Sequence, residues 1–253
     1  MSFYDLLLNK IKNYLRYTKL HFFILKFKNP KYIKFIEQEI KFHKNFLVPG
    51  KLIFDLGANI GDKSHIFSFF TKEIILYEPE EVLIDKLKLR FRKHNSIIIT
   101  SKLITDTIGE SKFYSIPGNE SYSSIIENYN KDFNHLKNAE VITKKKITTT
   151  LNFEIEKYGI PSYIKIDCEG AENLILKNLD YKIDIISFEA NLPKFMDNTL
   201  KIIDDLGNKF NYLFNVRKNE KFIFSFEKNI SSKEMKNYLK SKLGTYEVFM
   251  FSK

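Results

Sequence analysis

Tryptophan is absent from the 253 residues, and cysteine occurs once, as Cys168. A single thiol excludes an intrachain disulfide framework and any multi-cysteine zinc or iron–sulfur site. Arginine is nearly missing: among 41 basic residues only Arg16, Arg90, Arg92 and Arg217 carry a guanidinium. Guanidinium groups are the favoured readers of phosphates and guanine edges. Their scarcity argues against a nucleic-acid partner despite the net charge of +10. No uncharged apolar run approaches the roughly 18 residues of a membrane-spanning helix. Lys10, Lys12, Arg16 and Lys19 break the first apolar stretches, unlike a secretory leader. A reduced, cytoplasmic protein with no transmembrane segment is the expectation.

What is present is lysine, unevenly placed. Residues 1–50 hold 10 basic and 3 acidic residues, 51–204 hold 21 and 23, and 205–253 hold 10 and 5. Basic ends therefore flank a slightly acidic centre. In the first segment, Tyr4, Leu7, Leu8, Ile11, Leu15 and Phe22 fall at helical spacing over 3–25. Asn29-Pro30 interrupts, and a second helix is expected over 32–47 before the Val48-Pro49-Gly50 turn. Residues 1–50 read as a helical extension, whose lysines leave membrane-surface contact or a homodimer open.

From Lys51 short apolar runs alternate with helical segments, the signature of βα units on a mostly parallel sheet. The expected parallel strands are 52–56, 74–77, 97–100, 163–166 and 185–188, with helices over 63–70, 82–94, 171–179 and 199–206. An insertion of about 110–150 carries two candidate antiparallel strands, 112–115 and 141–149. Strands at 212–216 and 222–226, a helix at 234–243 and a strand at 246–251 suggest an antiparallel closing hairpin. The expectation is one α/β domain over 51–253 following the helical extension.

Three segments carry chemistry. In Ile53-Phe54-Asp55-Leu56-Gly57-Ala58-Asn59-Ile60-Gly61 a strand enters a tight turn and then a helix. No P-loop lysine follows, and Asn59 replaces the middle glycine of the dinucleotide fingerprint. Asp55 would repel a pyrophosphate but suits a cationic ligand, which turns the reading from NAD toward a sulfonium carried on an amino acid. Glu78, in Leu76-Tyr77-Glu78-Pro79, follows Gly57 at about the 20-residue distance at which Rossmann-like folds hold a ribose diol. Finally, Asp167, Glu169 and Glu172 crowd the end of the 163–166 strand, and Glu189 ends the next. Such crowding is costly unless a cation, a metal or hydrogen-bond donors neutralise it. Cys168, His135 and the other histidines read as packing or surface residues. Ser121 to Ser124 are candidates for a lid contacting acceptor hydroxyls.

Taken in order, Asp55-Leu-Gly-Ala-Asn-Ile-Gly61, Tyr77-Glu-Pro79, Thr149-Thr-Leu-Asn152, Lys165-Ile-Asp-Cys-Glu-Gly-Ala-Glu172 and Phe188-Glu-Ala-Asn191 resemble the FkbM family of S-adenosylmethionine-dependent methyltransferases. The similarity spans about residues 50–195, with Asn152 where the family commonly has Asp. The resemblance implies a Rossmann-like class I methyltransferase sheet. Asp55, Gly57, Asn59 and Gly61 would line the methionine end of the donor, Glu78 and Pro79 the ribose, and the segment from Leu103 to Asp106 the adenine. Asp167 and Glu169 would flank the transferred methyl group. Asp167, Glu169 and Glu189 are then the candidate catalytic cluster, acting directly as base or through Mg²⁺ or Mn²⁺.

Family members methylate hydroxyls of sugars and secondary metabolites. The expected function is O-methylation of a nucleotide-activated sugar or a surface-polysaccharide precursor. Methylation of another small molecule, RNA or protein is the alternative, as is a non-enzymatic module retaining the fold.

Overall fold

The computed structural model describes residues 28–218 and 221–253. The helix expected over 3–25 lies outside them. Helix α1 (Pro30–His43) begins where Asn29 accepts a hydrogen bond from the Tyr32 amide and Pro30 fills a position needing no donor.

There follow β1 (Ile53–Leu56), α2 (Asp62–Phe67), β2 (Ile74–Tyr77), α3 (Glu81–Phe91) and β3 (Ile97–Thr100). Next come β4 (Leu103–Thr105), β5 (Gly109–Ser115), β6 (Ile142–Thr150), α4 (Leu151–Tyr158), β7 (Tyr163–Ile166) and α5 (Glu172–Leu176). The chain closes with β8 (Ile185–Leu192), α6 (Met196–Phe210), β9 (Leu213–Lys218), α7 (Ser232–Leu239) and β10 (Gly244–Phe251).

The main sheet runs β3-β2-β1-β7-β8-β10-β9. Its first five strands are parallel, and β10 pairs antiparallel with β8 and β9. This is a mostly parallel, Rossmann-like sheet with an antiparallel end. Strands β1, β2 and β7 are buried at every residue, which is why they read as largely apolar runs broken only by Asp55 and Lys165. Chain order reverses between β1 and β7, and open α/β sheets bind ligands beyond the strand ends at such a switch point. The insertion pairs β5 with β6 as expected, and β4 joins them in a separate three-stranded sheet, β4-β6-β5.

Besides β4, which was not among the expected strands, two elements depart from the sequence reading. Residues 222–226 form no strand; the Ser225 amide donates to the Val216 carbonyl in a looped return. Phe224 is used for packing instead, its ring 4.8 Å from Phe42 and 5.1 Å from Phe249. Helix α4 goes unforeseen, being only eight residues long with Leu151 and Ile155 as its buried apolar anchors. The Thr149–Asn152 motif turns out to build this corner. Thr149 donates to Glu154, Thr150 caps α4, and Asn152 staples Asn178 and Asp180.

Helix α1 is fixed to the sheet by buried charge. Glu39 on α1 accepts from Lys63 and, at 3.1 Å, from Arg217 on β9; Arg217 also donates to Glu247 at 2.6 Å. The guanidinium lies 4.4 Å over the Phe42 ring. Burial alone would raise the Glu39 pKa, but His43, Lys63 and Arg217 overcome it and hold the carboxyl far below its ordinary range. Removing one member strands the others in a dry interior. Arg217→Met should therefore cost about 3–5 kcal/mol of stability, read from the urea midpoint.

Candidate active site

Strand β1 ends in a turn that only small or left-handed residues can make. Gly57 (φ +73°) leaves no space for a side chain: a Cβ there would stand 1.8 Å from the Asp167 carbonyl oxygen. Asn59 follows at φ +53°, a conformation Asn tolerates better than most residues. Its amide donates to the Glu78 carboxylate at 2.8 Å, and its side chain donates to Ser121 at 2.9 Å. Gly61 starts α2, where a Cβ would collide with Leu87 and Phe91 at 2.8 Å.

Above this turn lies a cleft lined by the ends of β1, β2, β4 and β7 and by the insertion. Clefts at such a switch point are where small molecules and cofactors bind. Glu78 projects into it with Pro79 beside it, and Leu83, Leu103, Ile104 and Phe113 supply an apolar wall. The Glu78 carboxylate accepts the Asn59 and Glu80 amides. Burial nevertheless raises its pKa to about 7.

At the opposite end stand Asp167, Cys168 and Glu169. The Lys165 ammonium lies beneath them, 3.3 Å from Asp167 and 3.5 Å from Asp55, because β1 and β7 pair Asp55 directly with Lys165. Burial pulls the Lys165 pKa down, yet Asp167 and Asp55 more than offset it and leave it well raised.

Burial, with Asp167 nearby, pushes Glu169 up to about 8 and Glu189 to about 9. Glu172 reaches about 7 through burial and is occupied as a brace, accepting the Cys168 and Gly170 amides at 3.0 and 3.3 Å. Cys168 is likewise pushed well up by burial, which keeps it a thiol.

Not every residue marked in the sequence reaches this cavity. Gly57, Asn59, Glu78, Pro79, Asp167 and Glu169 line it; Asp55, Gly61, Asp106 and Glu189 do not. Asp55 is fully buried, bonded to Ser64 at 2.5 Å and paired with Lys165, so its charge answers a lysine rather than a ligand. Asp106 faces Lys177 at 3.4 Å, away from the apolar wall. Glu189 sits on the far side of Asp167, its carboxylate accepting from Asn191 at 2.8 Å. The expected three-carboxylate metal set is not assembled. Among the described residues no three His, Cys, Asp or Glu side chains could hold an ion together. Glu169 is instead engaged by Tyr129 and Glu189 by Asn191.

The residue missed in the sequence is Tyr129. Carried by the insertion, it is 3% exposed, donates its hydroxyl to Glu169, and stacks on Phe195 at 6.1 Å. Ser124 adds a bond to the Glu169 carbonyl at 2.8 Å. The insertion is thus tied to both ends of the cavity, by Ser121 to Asn59 and by Tyr129 and Ser124 to Glu169. Ser123 accepts the Ile116 amide and holds its own loop. His135 is exposed and outside the cavity.

These raised carboxyls have a stability consequence. The folded state holds their protons after the unfolded state has released them, so stability falls as pH rises from about 4.5 through about 9. Glu189→Gln should flatten this decline and raise the melting temperature at the alkaline end, read by scanning calorimetry. On the order of 2–3 kcal/mol should be recovered there.

A family model described as Methyltransferase FkbM domain matches residues 55–214. No curated protein matches the chain. Among solved structures, precorrin-6y C5,15-methyltransferase from Geobacter metallireducens is 10% identical over 88% of this chain and 87% of its own, with a TM-score of 0.45. A putative RNA methyltransferase from Pyrococcus horikoshii is 13% identical over 87% and 84%, with a TM-score of 0.43. A putative methyltransferase from Streptococcus mutans in complex with SAH is 10% identical over 86% and 97%, with a TM-score of 0.42.

Proposed function

The chain belongs to the FkbM family of methyltransferases, and we propose that it moves the methyl group of S-adenosylmethionine to a hydroxyl oxygen of a sugar-like small molecule. The observation carrying this reading is the switch-point cavity, with a carboxylate for a diol at one end and a lysine-backed carboxylate at the other. The residues fit the donor in kind. Glu78 would accept the ribose hydroxyls, the wall of Leu83, Leu103, Ile104 and Phe113 would cover adenine, and the Gly57–Asn59 turn would face the methionine end.

Bound S-adenosylmethionine supplies an electrophilic methyl group whose sulfur keeps the bonding pair on transfer. The chain's own task is to orient the acceptor oxygen and take its proton. A sugar hydroxyl has a high pKa, so a base must assist. Glu169 and Glu189 hold protons near neutral pH, being pushed to about 8 and 9. Asp167, 3.3 Å from the Lys165 ammonium and lining the cavity, is the carboxylate placed to accept one. Glu169, oriented by Tyr129, donates a hydrogen bond instead.

Calorimetry with S-adenosylhomocysteine, NAD and an oligonucleotide tests the donor assignment; binding to NAD alone would overturn it. A nucleotide-sugar screen read by mass for one added methyl group tests the acceptor, and a product formed only on RNA or protein would refute the sugar reading. Glu78→Gln should weaken S-adenosylhomocysteine binding about 10- to 100-fold, as expected for lost hydrogen bonds to a charged group.

A further inference from the structure

Three aromatic rings gather around one ammonium where the insertion meets the main sheet. The Nζ of Lys194 lies 3.8 Å from the centre of the Tyr129 ring, 4.6 Å from that of Phe195 and 5.7 Å from that of Phe133. Lys194 and Phe195 belong to the turn between β8 and α6, whereas Tyr129 and Phe133 come from the insertion. The cage therefore joins two distant parts of the chain, and nothing in the motif pattern marks Lys194.

We propose that Lys194 is a positioning residue for methyl transfer: its ammonium holds the Tyr129 ring in place, and Tyr129 in turn fixes Glu169 and keeps the insertion down over the cleft. The inference rests on the methyl-transfer reading and goes beyond it in assigning the lysine that sets this contact.

Glu169 needs support from outside its own turn. Its backbone is left-handed, at φ +52°, a conformation that persists in a residue with a Cβ only where the surroundings impose it. The insertion supplies two bonds. Ser124 donates to the Glu169 carbonyl at 2.8 Å, and Tyr129 donates to the carboxyl oxygen Oε2. With Oε2 accepting, the proton that Glu169 holds near neutral pH is left on Oε1, where it can be donated. Phe195 completes the seat. A Cβ on Gly170 would stand 2.6 Å from its ring, and the ring lies within 10° of parallel to Tyr129.

A cation suits this place because it is drawn to the negative face of each ring at once, and so orients the rings as well as packing them. An aliphatic side chain would pack without orienting. Lys194 is itself exposed, while Tyr129 is 3% exposed and carries the effect inward. Burial and the neighbouring Glu169 push the Tyr129 pKa far up, which keeps its hydroxyl a donor. Ser121, Ser123, Ser124 and Ile125 of the same insertion line the cleft. Loosening Tyr129 therefore loosens the cover over a bound ligand as well as Glu169.

The test is a double-substitution cycle read by S-adenosylhomocysteine calorimetry and amide hydrogen exchange. Lys194→Met keeps the length and packing of the side chain and removes its charge. It should weaken S-adenosylhomocysteine about 3- to 10-fold, the range for losing a cation over aromatic rings. It should also speed exchange of the Ser124 and Tyr129 amides, while the melting temperature and the exchange of β7 stay as in the wild type. Lys194→Arg, which restores a cation, should restore both. Tyr129→Phe should weaken binding to a similar degree, and Lys194→Met added to it should change little further, because the lysine acts through the tyrosine hydroxyl. Unchanged binding and exchange in Lys194→Met, failure of arginine to restore them, or fully additive effects with Tyr129→Phe would each overturn the proposal. Wild-type protein that binds no S-adenosylhomocysteine would instead strike the donor reading, and the exchange cycle would still judge Lys194.

Discussion

Asp167→Asn is expected to reduce the rate of methyl transfer by about 10²- to 10⁴-fold, the usual contribution of a positioned base, while S-adenosylhomocysteine binds as before. The substitution keeps the shape of the side chain and removes its ability to take a proton. Lys165 keeps Asp55 as partner, 3.5 Å away, so the buried ammonium is not stranded and the fold should hold. The distinguishing readout is the single-turnover rate with labelled methyl donor, which should fall in the variant while its melting temperature and S-adenosylhomocysteine affinity hold. Glu169→Gln should cost far less, because Glu169 already holds its proton near neutral pH and a carboxamide can still donate. Equal losses for the two variants would reverse the roles given to them.

Gly57→Ala should do the most damage for a single methyl group. Two penalties combine at this residue: a left-handed backbone at φ +73°, and a Cβ only 1.8 Å from the Asp167 carbonyl oxygen. The struck atom is backbone, so relief requires β1 and β7 to part at the floor of the cavity. A loss of about 3 kcal/mol or more is expected, with S-adenosylhomocysteine binding abolished in whatever protein folds. Gly118→Ala is the matched control, since Gly118 has φ +79° and open space around it. Its cost should be only about 1 kcal/mol, the backbone term alone. Similar melting temperatures for the two variants would mean that the β1–β7 contact is not the constraint argued for it.

The parallel strands were readable because burial on both faces forces short, mostly apolar runs such as Ile74–Tyr77, with Asp55 and Lys165 as the interruptions in their neighbours. Glu78 was readable because a glycine turn and an acidic residue at a fixed separation reflect the geometry of one βα unit. Helix α4 was not readable, because eight residues give too few turns for periodicity to register. The 222–226 segment misled for a different reason. Its alternating phenylalanines match a strand, but the rings pack on α1 and β10 while β9 takes β10 as its ladder partner.

By itself the sequence determined the α/β class, the order of the motifs and the carboxylates at the strand ends. Each follows from contacts along a few consecutive residues or across one βα unit. Only the tertiary structure decided which carboxylates do which work. Asp55 faced a ligand on paper, but register with Lys165 makes it a buried counterion. Asp106 was turned to Lys177, and Tyr129 was brought from the insertion onto Glu169. These are pairings between residues tens of positions apart, and the energy of a charge depends on its burial and its partners rather than on its neighbours in the chain.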